Sequence, residues 1–113
     1  MATITPTAVT DRVAAVAPMV AAAGGGDVVV NTAGNAVIVI KNANATLART
    51  VTIVSYADNI PPGTAKANKA VSVAANSGCV IGPMDKETWN NTSNQVELTY
   101  DVATDLTVGA YRR

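Results

Sequence analysis

The residue types that carry most enzymatic chemistry are scarce in this chain. It has no histidine and a single cysteine, Cys79. Without an imidazole, neither a Ser-His-Asp triad nor a Cys-His pair can be assembled. Cys79 lies in an apolar run with no activating neighbour, so it is expected to act as a small buried hydrophobe. One thiol cannot close a disulfide within the chain or build a zinc cluster. Two carboxylate pairs could in principle cut glycosidic bonds: Asp85 with Glu87, and Glu97 with Asp101. On a strand, Glu97 and Asp101 would share a face about 13 Å apart, and a solvated face is the expectation. No D-x-D-x-D-G run offers a calcium loop. Gly24-Gly25-Gly26 lacks the lysine and the serine or threonine of a phosphate loop, and reads as a hinge or turn. The triplets starting at Asn44, Asn90 and Asn91 match the glycosylation pattern, as chance allows in a chain rich in Asn and Thr. The expectation is therefore no catalytic residue, no cofactor, no metal and no enzymatic activity.

Trp89 is the remaining candidate. It lies between Gly82-Pro83 and an Asn-rich turn. There it could stack on a sugar, anchor a protein contact, or pack its own loop against the fold.

The elements that would position these residues follow a period of two from Asp27 onward. Val28 and Val30 begin a strand that the Ala33-Gly34-Asn35 turn signal closes. Ala36 to Lys41 is a nearly continuous apolar run, expected to be a central strand covered on both faces. Thr50 to Val54 alternates. Tyr56 to Asn68 is a loop, since Pro61-Pro62-Gly63 forbids regular structure. Val71 and Val73 mark the next strand. Asn76-Ser77-Gly78 turns it into Cys79 to Ile81, so these two are expected to pair as a hairpin. Asp85 could cap one helical turn up to Asn90. Val96, Leu98, Tyr100 and Val102 alternate with polar residues, and Leu106, Val108 and Ala110 form the last strand.

About seven or eight short strands, spaced roughly every ten residues, indicate an all-β sandwich or barrel. Strand count and spacing suit a jelly roll and an immunoglobulin-like order equally. Residues 1–26 are rich in Ala, Thr and Val and read as an N-terminal arm before a sandwich domain at 27–113. The arm is expected to be extended, with one or two short strands. A short helix over Arg12 to Ala17, capped by Asp11 and stopped by Pro18, is the competing possibility.

Charged residues make up 14% of the 113 positions, against about 25% in an ordinary domain. The cations Arg12, Lys41, Arg49, Lys66, Lys69, Lys86, Arg112 and Arg113 are scattered apart from the last pair, and the net charge is zero. No basic stripe invites nucleic acid. A surface this weakly charged repels its own copies little, which suits assembly. Phenylalanine is absent, so the core must be built from Val, Ile, Leu and Ala. Val13 to Ala23 is apolar but too short for a membrane span of about twenty residues. No signal peptide is evident, so synthesis in the cytoplasm is expected.

The order of these segments carries a resemblance. Val71-Ser-Val73, Val80-Ile-Gly-Pro83, Trp89-Asn90, Val96-Glu-Leu-Thr-Tyr100 and Leu106-Thr-Val-Gly-Ala-Tyr111 follow Met1-Ala-Thr-Ile-Thr-Pro6, Gly25-Gly-Asp27 and the strand ending in Lys41-Asn42-Ala43. Across nearly the whole chain this resembles the small head decoration, or cement, proteins of tailed bacteriophages. The resemblance implies a jelly-roll-like sandwich on the virion surface, bound to the outer face of the major capsid protein shell, commonly as a homotrimer. It transfers no catalytic residue. Two other roles fit the sequence. One is a carbohydrate-binding or host-attachment module using Trp89, Tyr56 and Tyr111. The other is a head–tail or tail structural component.

Overall fold

The computed structural model describes residues 2–9, 18–56 and 68–113. Its strands are β1 (Thr3–Ile4), β2 (Thr7–Ala8), β3 (Val20–Ala21), β4 (Asp27–Val30), β5 (Val37–Asn42), β6 (Arg49–Ile53), β7 (Lys69–Val73), β8 (Ser77–Ile81), β9 (Gln95–Tyr100) and β10 (Leu106–Arg112), with one helical turn, α1 (Lys86–Trp89). They form two sheets. The first runs β1-β4-β9-β6-β7 and the second β2-β10-β5-β8, with β3 also paired to β10.

From β3 onward the pairing is nested. β3 pairs with β10, β4 with β9, β5 with β8 and β6 with β7, every pair antiparallel. A long double strand folded over into two facing sheets is a jelly roll. An immunoglobulin-like order is excluded, because it keeps the last two strands side by side in one sheet. Here the successive strands β9 and β10 lie in different sheets.

Period-two alternation explains which faces meet. Ile38 and Ile40 of β5, Val51 and Ile53 of β6, Val96 and Leu98 of β9, and Leu106 and Val108 of β10 point inward and are buried. Aliphatic side chains fill the space between the sheets, as the lack of phenylalanine requires.

Four details differ from what local pattern suggests. β7 and β8 are not a hairpin: β7 pairs with β6 and β8 with β5, in opposite sheets. The Asn42 side chain takes up the Val73 and Ala74 carbonyls at 3.1 and 3.3 Å, and the Asn76 amide donates to the Asn44 carbonyl. The turn is thereby held over the edge of the sandwich, and both strands bury their inner valine and isoleucine. Secondly, β5 is covered on one face only. Val37 and Val39 on its outer side are half-buried and Lys41 is exposed. Thirdly, β9 ends at Tyr100, and Val102 lies in an exposed turn. Finally, Asp85 stands at the start of α1 but accepts from the Thr88 hydroxyl (2.9 Å) and caps no backbone N–H.

The described parts of 1–26 are edge strands of the same sandwich that 27–113 builds. β1 runs parallel to β4, β2 runs parallel to β10, and Ile4 is buried in the core. Three short strands are present in this segment, one or two more than its composition suggested. The alternative helix at Arg12 to Ala17 and the Pro61-Pro62-Gly63 loop lie outside the described residues.

Of the three successive glycines, Gly26 is the one the backbone demands. Its φ is +94°, and a Cβ there would come within 2.6 Å of the Leu98 carbonyl oxygen.

Candidate interaction surfaces

The fold disperses the residues that could have done chemistry. Cys79 packs against the core from edge strand β8, and burial pushes its thiol pKa up, away from the reactive thiolate. Glu97 accepts from the Asn91 side chain at 3.1 Å. Hydrogen bonding toward Glu97, then burial, raises the Tyr56 phenol. Asp101 Oδ1 accepts the Thr50 and Val102 amides at 2.9 and 2.7 Å. Both carboxylates of this pair are therefore held by local hydrogen bonds. Among the described residues no group of three or more His, Cys, Asp or Glu is placed to hold a metal ion. No described helix is long and apolar enough to cross a membrane.

Trp89 packs against the core cluster, holding the 82–94 loop to the sandwich. The three candidate aromatics do not form one platform. Tyr56 engages Glu97 on the first sheet, whereas Tyr111 stands opposite Val37 in the second.

Sequence reasoning missed four buried polar residues, Asp27, Asn31, Asn42 and Ser55, of which the first three organise the fold. The Asp27 carboxylate accepts Ala2 N (2.8 Å), Ala23 N (3.1 Å) and the Tyr100 hydroxyl (2.7 Å). It thereby ties both ends of the N-terminal segment to the first sheet. Asn31 Nδ2 donates to the Met84 carbonyl and to Asn90 Oδ1, while its Oδ1 accepts Ala36 N. Asn42 Nδ2 reaches three carbonyls, of Leu47, Val73 and Ala74. Each Asn sits at a turn or strand end, where the sequence signals a turn and conceals burial. The amides of the glycosylation-like triplets are likewise engaged: Asn44, Asn90 and Asn91 all bond within the fold.

What the fold leaves open is apolar surface. On the outer side of the second sheet, Val39 of β5 stands opposite Val80 of β8 on one flank and Gly109 of β10 on the other. Val80 is 68% exposed. Met19, Val39, Gly78 and Val80 line a shallow depression of about 580 Å³, and Lys41 is the one charged residue on its wall. Isolated exposed aliphatics are ordinary on protein surfaces, and it is large contiguous apolar patches that mark places where another surface docks. No protein-family model, curated protein or solved structure matches the chain.

Proposed function

We propose that this protein is a bacteriophage capsid decoration protein, which binds the outer surface of the assembled major capsid protein shell and stabilises the head. The observation that carries this reading is the open aliphatic face around Val39 and Val80 on a weakly charged jelly roll. Such a face gains free energy by being covered, at roughly 25 cal/mol per Å² of apolar area. A protein that docks only on the expanded shell stabilises that state by mass action. As a homotrimer spanning several shell subunits it would gain further through effective concentration. Jelly rolls host many activities, so the fold lends weight without assigning the role.

The test is to titrate the purified protein onto expanded heads of the phage that encodes it, prepared without it, and to count bound copies. Saturation at hundreds of copies, with the heads more resistant to heat, is expected. Binding of about a dozen copies at one vertex would indicate a connector component, and no binding would overturn the proposal. Val80→Lys should weaken binding without altering the fold, because its side chain already faces water. Light scattering of the free protein checks the trimer.

A further inference from the structure

The 43–48, 74–76 and 101–105 turns lie together at one end of the sandwich. Asn44 joins all three turns. Its main-chain N donates to Asn42 Oδ1 (3.0 Å) and its carbonyl accepts Asn76 N (2.9 Å). Its Oδ1 accepts the amides of Thr46 (3.0 Å) and Leu47 (2.8 Å), and its Nδ2 donates to Asp105 Oδ2 (3.0 Å). Ala43 N also donates to the Asp105 carbonyl (2.9 Å). Leu47 is held at both backbone atoms, since its carbonyl accepts from Asn42 Nδ2. Yet its side chain is 56% exposed, and that of Val102, in the adjoining turn, is 42% exposed.

A backbone fixed this firmly gains no stability from an exposed leucine. It does remove the ordering cost that a loop normally incurs on binding. The neighbours of Leu47 point the same way. Ala43, Ala45, Thr46, Ala48 and Thr104 are exposed and short, with little rotamer entropy to lose when covered. The exposed charges in these turns are acidic, Asp101 and Asp105. Arg49, 12% exposed and 3.9 Å from Asp105, is mostly withdrawn from solvent, and Lys41 points from the outer face of the second sheet.

We infer that this end is a preformed plug, in which Leu47 and Val102 enter an apolar recess rimmed by lysine or arginine on the shell protein. The inference rests on the shell-binding reading above and adds to the Val39–Val80 face a second contact, at the end of the sandwich, with its chemistry. The basic rim follows from charge complementarity with Asp101, since Asp105 is already paired with Arg49.

Leu47→Lys and Val102→Lys variants, with Leu47→Ser as a milder second substitution, are titrated onto the same expanded heads beside the unaltered protein. Denaturant midpoints establish that each variant is folded. Each lysine variant is expected to weaken binding about tenfold or more. Binding of the unaltered protein should also fall as salt rises from about 0.05 to about 0.5 M. Folded variants that bind as tightly as the unaltered protein would overturn the plug and leave the shell-binding reading standing. Binding lost in the variants but insensitive to salt would overturn the basic rim. Failure of the unaltered protein to bind heads would overturn both readings.

Discussion

The Tyr100 hydroxyl donates to Asp27 Oδ2 at 2.7 Å, joining residues 73 positions apart. The same carboxylate holds Ala2 and Ala23 by their backbone amides. A single buried acid thus fastens the end of β9, the start of β4 and both ends of the N-terminal segment. Hydrogen bonds to a charged acceptor contribute about 1.5–3 kcal/mol each. Tyr100→Phe is therefore expected to lower stability by roughly 2 kcal/mol. Asp27→Ala, which orphans three donors, should cost more. Urea denaturation of both variants is the check, and unchanged midpoints would refute the role given to this carboxylate.

The pH dependence follows from the same pair. Burial, then the hydrogen bond to Asp27 and its charge, push the Tyr100 phenol well above the ordinary tyrosine value. A raised folded-state value means that the native protein keeps a proton that the unfolded chain gives up near pH 10. This stabilisation is complete below about pH 10 and is lost as pH climbs beyond it. Stability of the native chain should thus fall more steeply above that pH than stability of Tyr100→Phe. Phenolate absorbance in an alkaline titration should show one tyrosine that ionises only as the protein unfolds.

The glycine run separates a required position from two permissive ones. Gly26→Ala must place a Cβ 2.6 Å from the Leu98 carbonyl in a left-handed conformation. A loss on the order of 2 kcal/mol or more is expected. Gly25→Ala meets no atom within 4 Å and should change stability by less than about 0.5 kcal/mol. Equal thermal midpoints for the two variants would contradict this assignment.

Asn42 is fully buried and supplies the bond donors for Leu47, Val73 and Ala74. Asn42→Ala leaves those carbonyls without their amide partner and a cavity beside them, at about 2–3 kcal/mol. It should also loosen the 43–48 turn, since Asn44 N loses its acceptor. Faster hydrogen exchange at Thr46 and Leu47 would report that loosening, and unchanged exchange would argue against the turn's dependence on Asn42.

Cys79 should behave as a guarded thiol. Burial raises its pKa and its side chain contacts the core, so its reaction with a disulfide reagent at neutral pH should be slow and should accelerate on unfolding. Rapid, complete labelling of the folded protein would show that β8 opens easily.

Local pattern was enough to mark β4 to β10 as strands, by alternation in most, by a continuous apolar run at β5 and by the preceding turn at β8, because these are properties that each segment carries within itself. Val96-Glu-Leu-Thr-Tyr100 and Leu106-Thr-Val-Gly-Ala110 show their inward faces in the order of their residues. The missing histidine likewise excluded imidazole chemistry before any fold was known. Partner choice is a different kind of fact. Whether β8 pairs with β7 or with β5 depends on which edge is open once distant strands have met, and the turn at Asn76 looks the same in either case. The nested pairing that makes a jelly roll, the inward turn of Asp27, and the joining of three turns by Asn44 all depend on groups far apart in the chain. A buried polar residue is stable only beside partners that the fold has brought to it, and so the tertiary structure decided where this protein leaves Val80 and Leu47 facing outward.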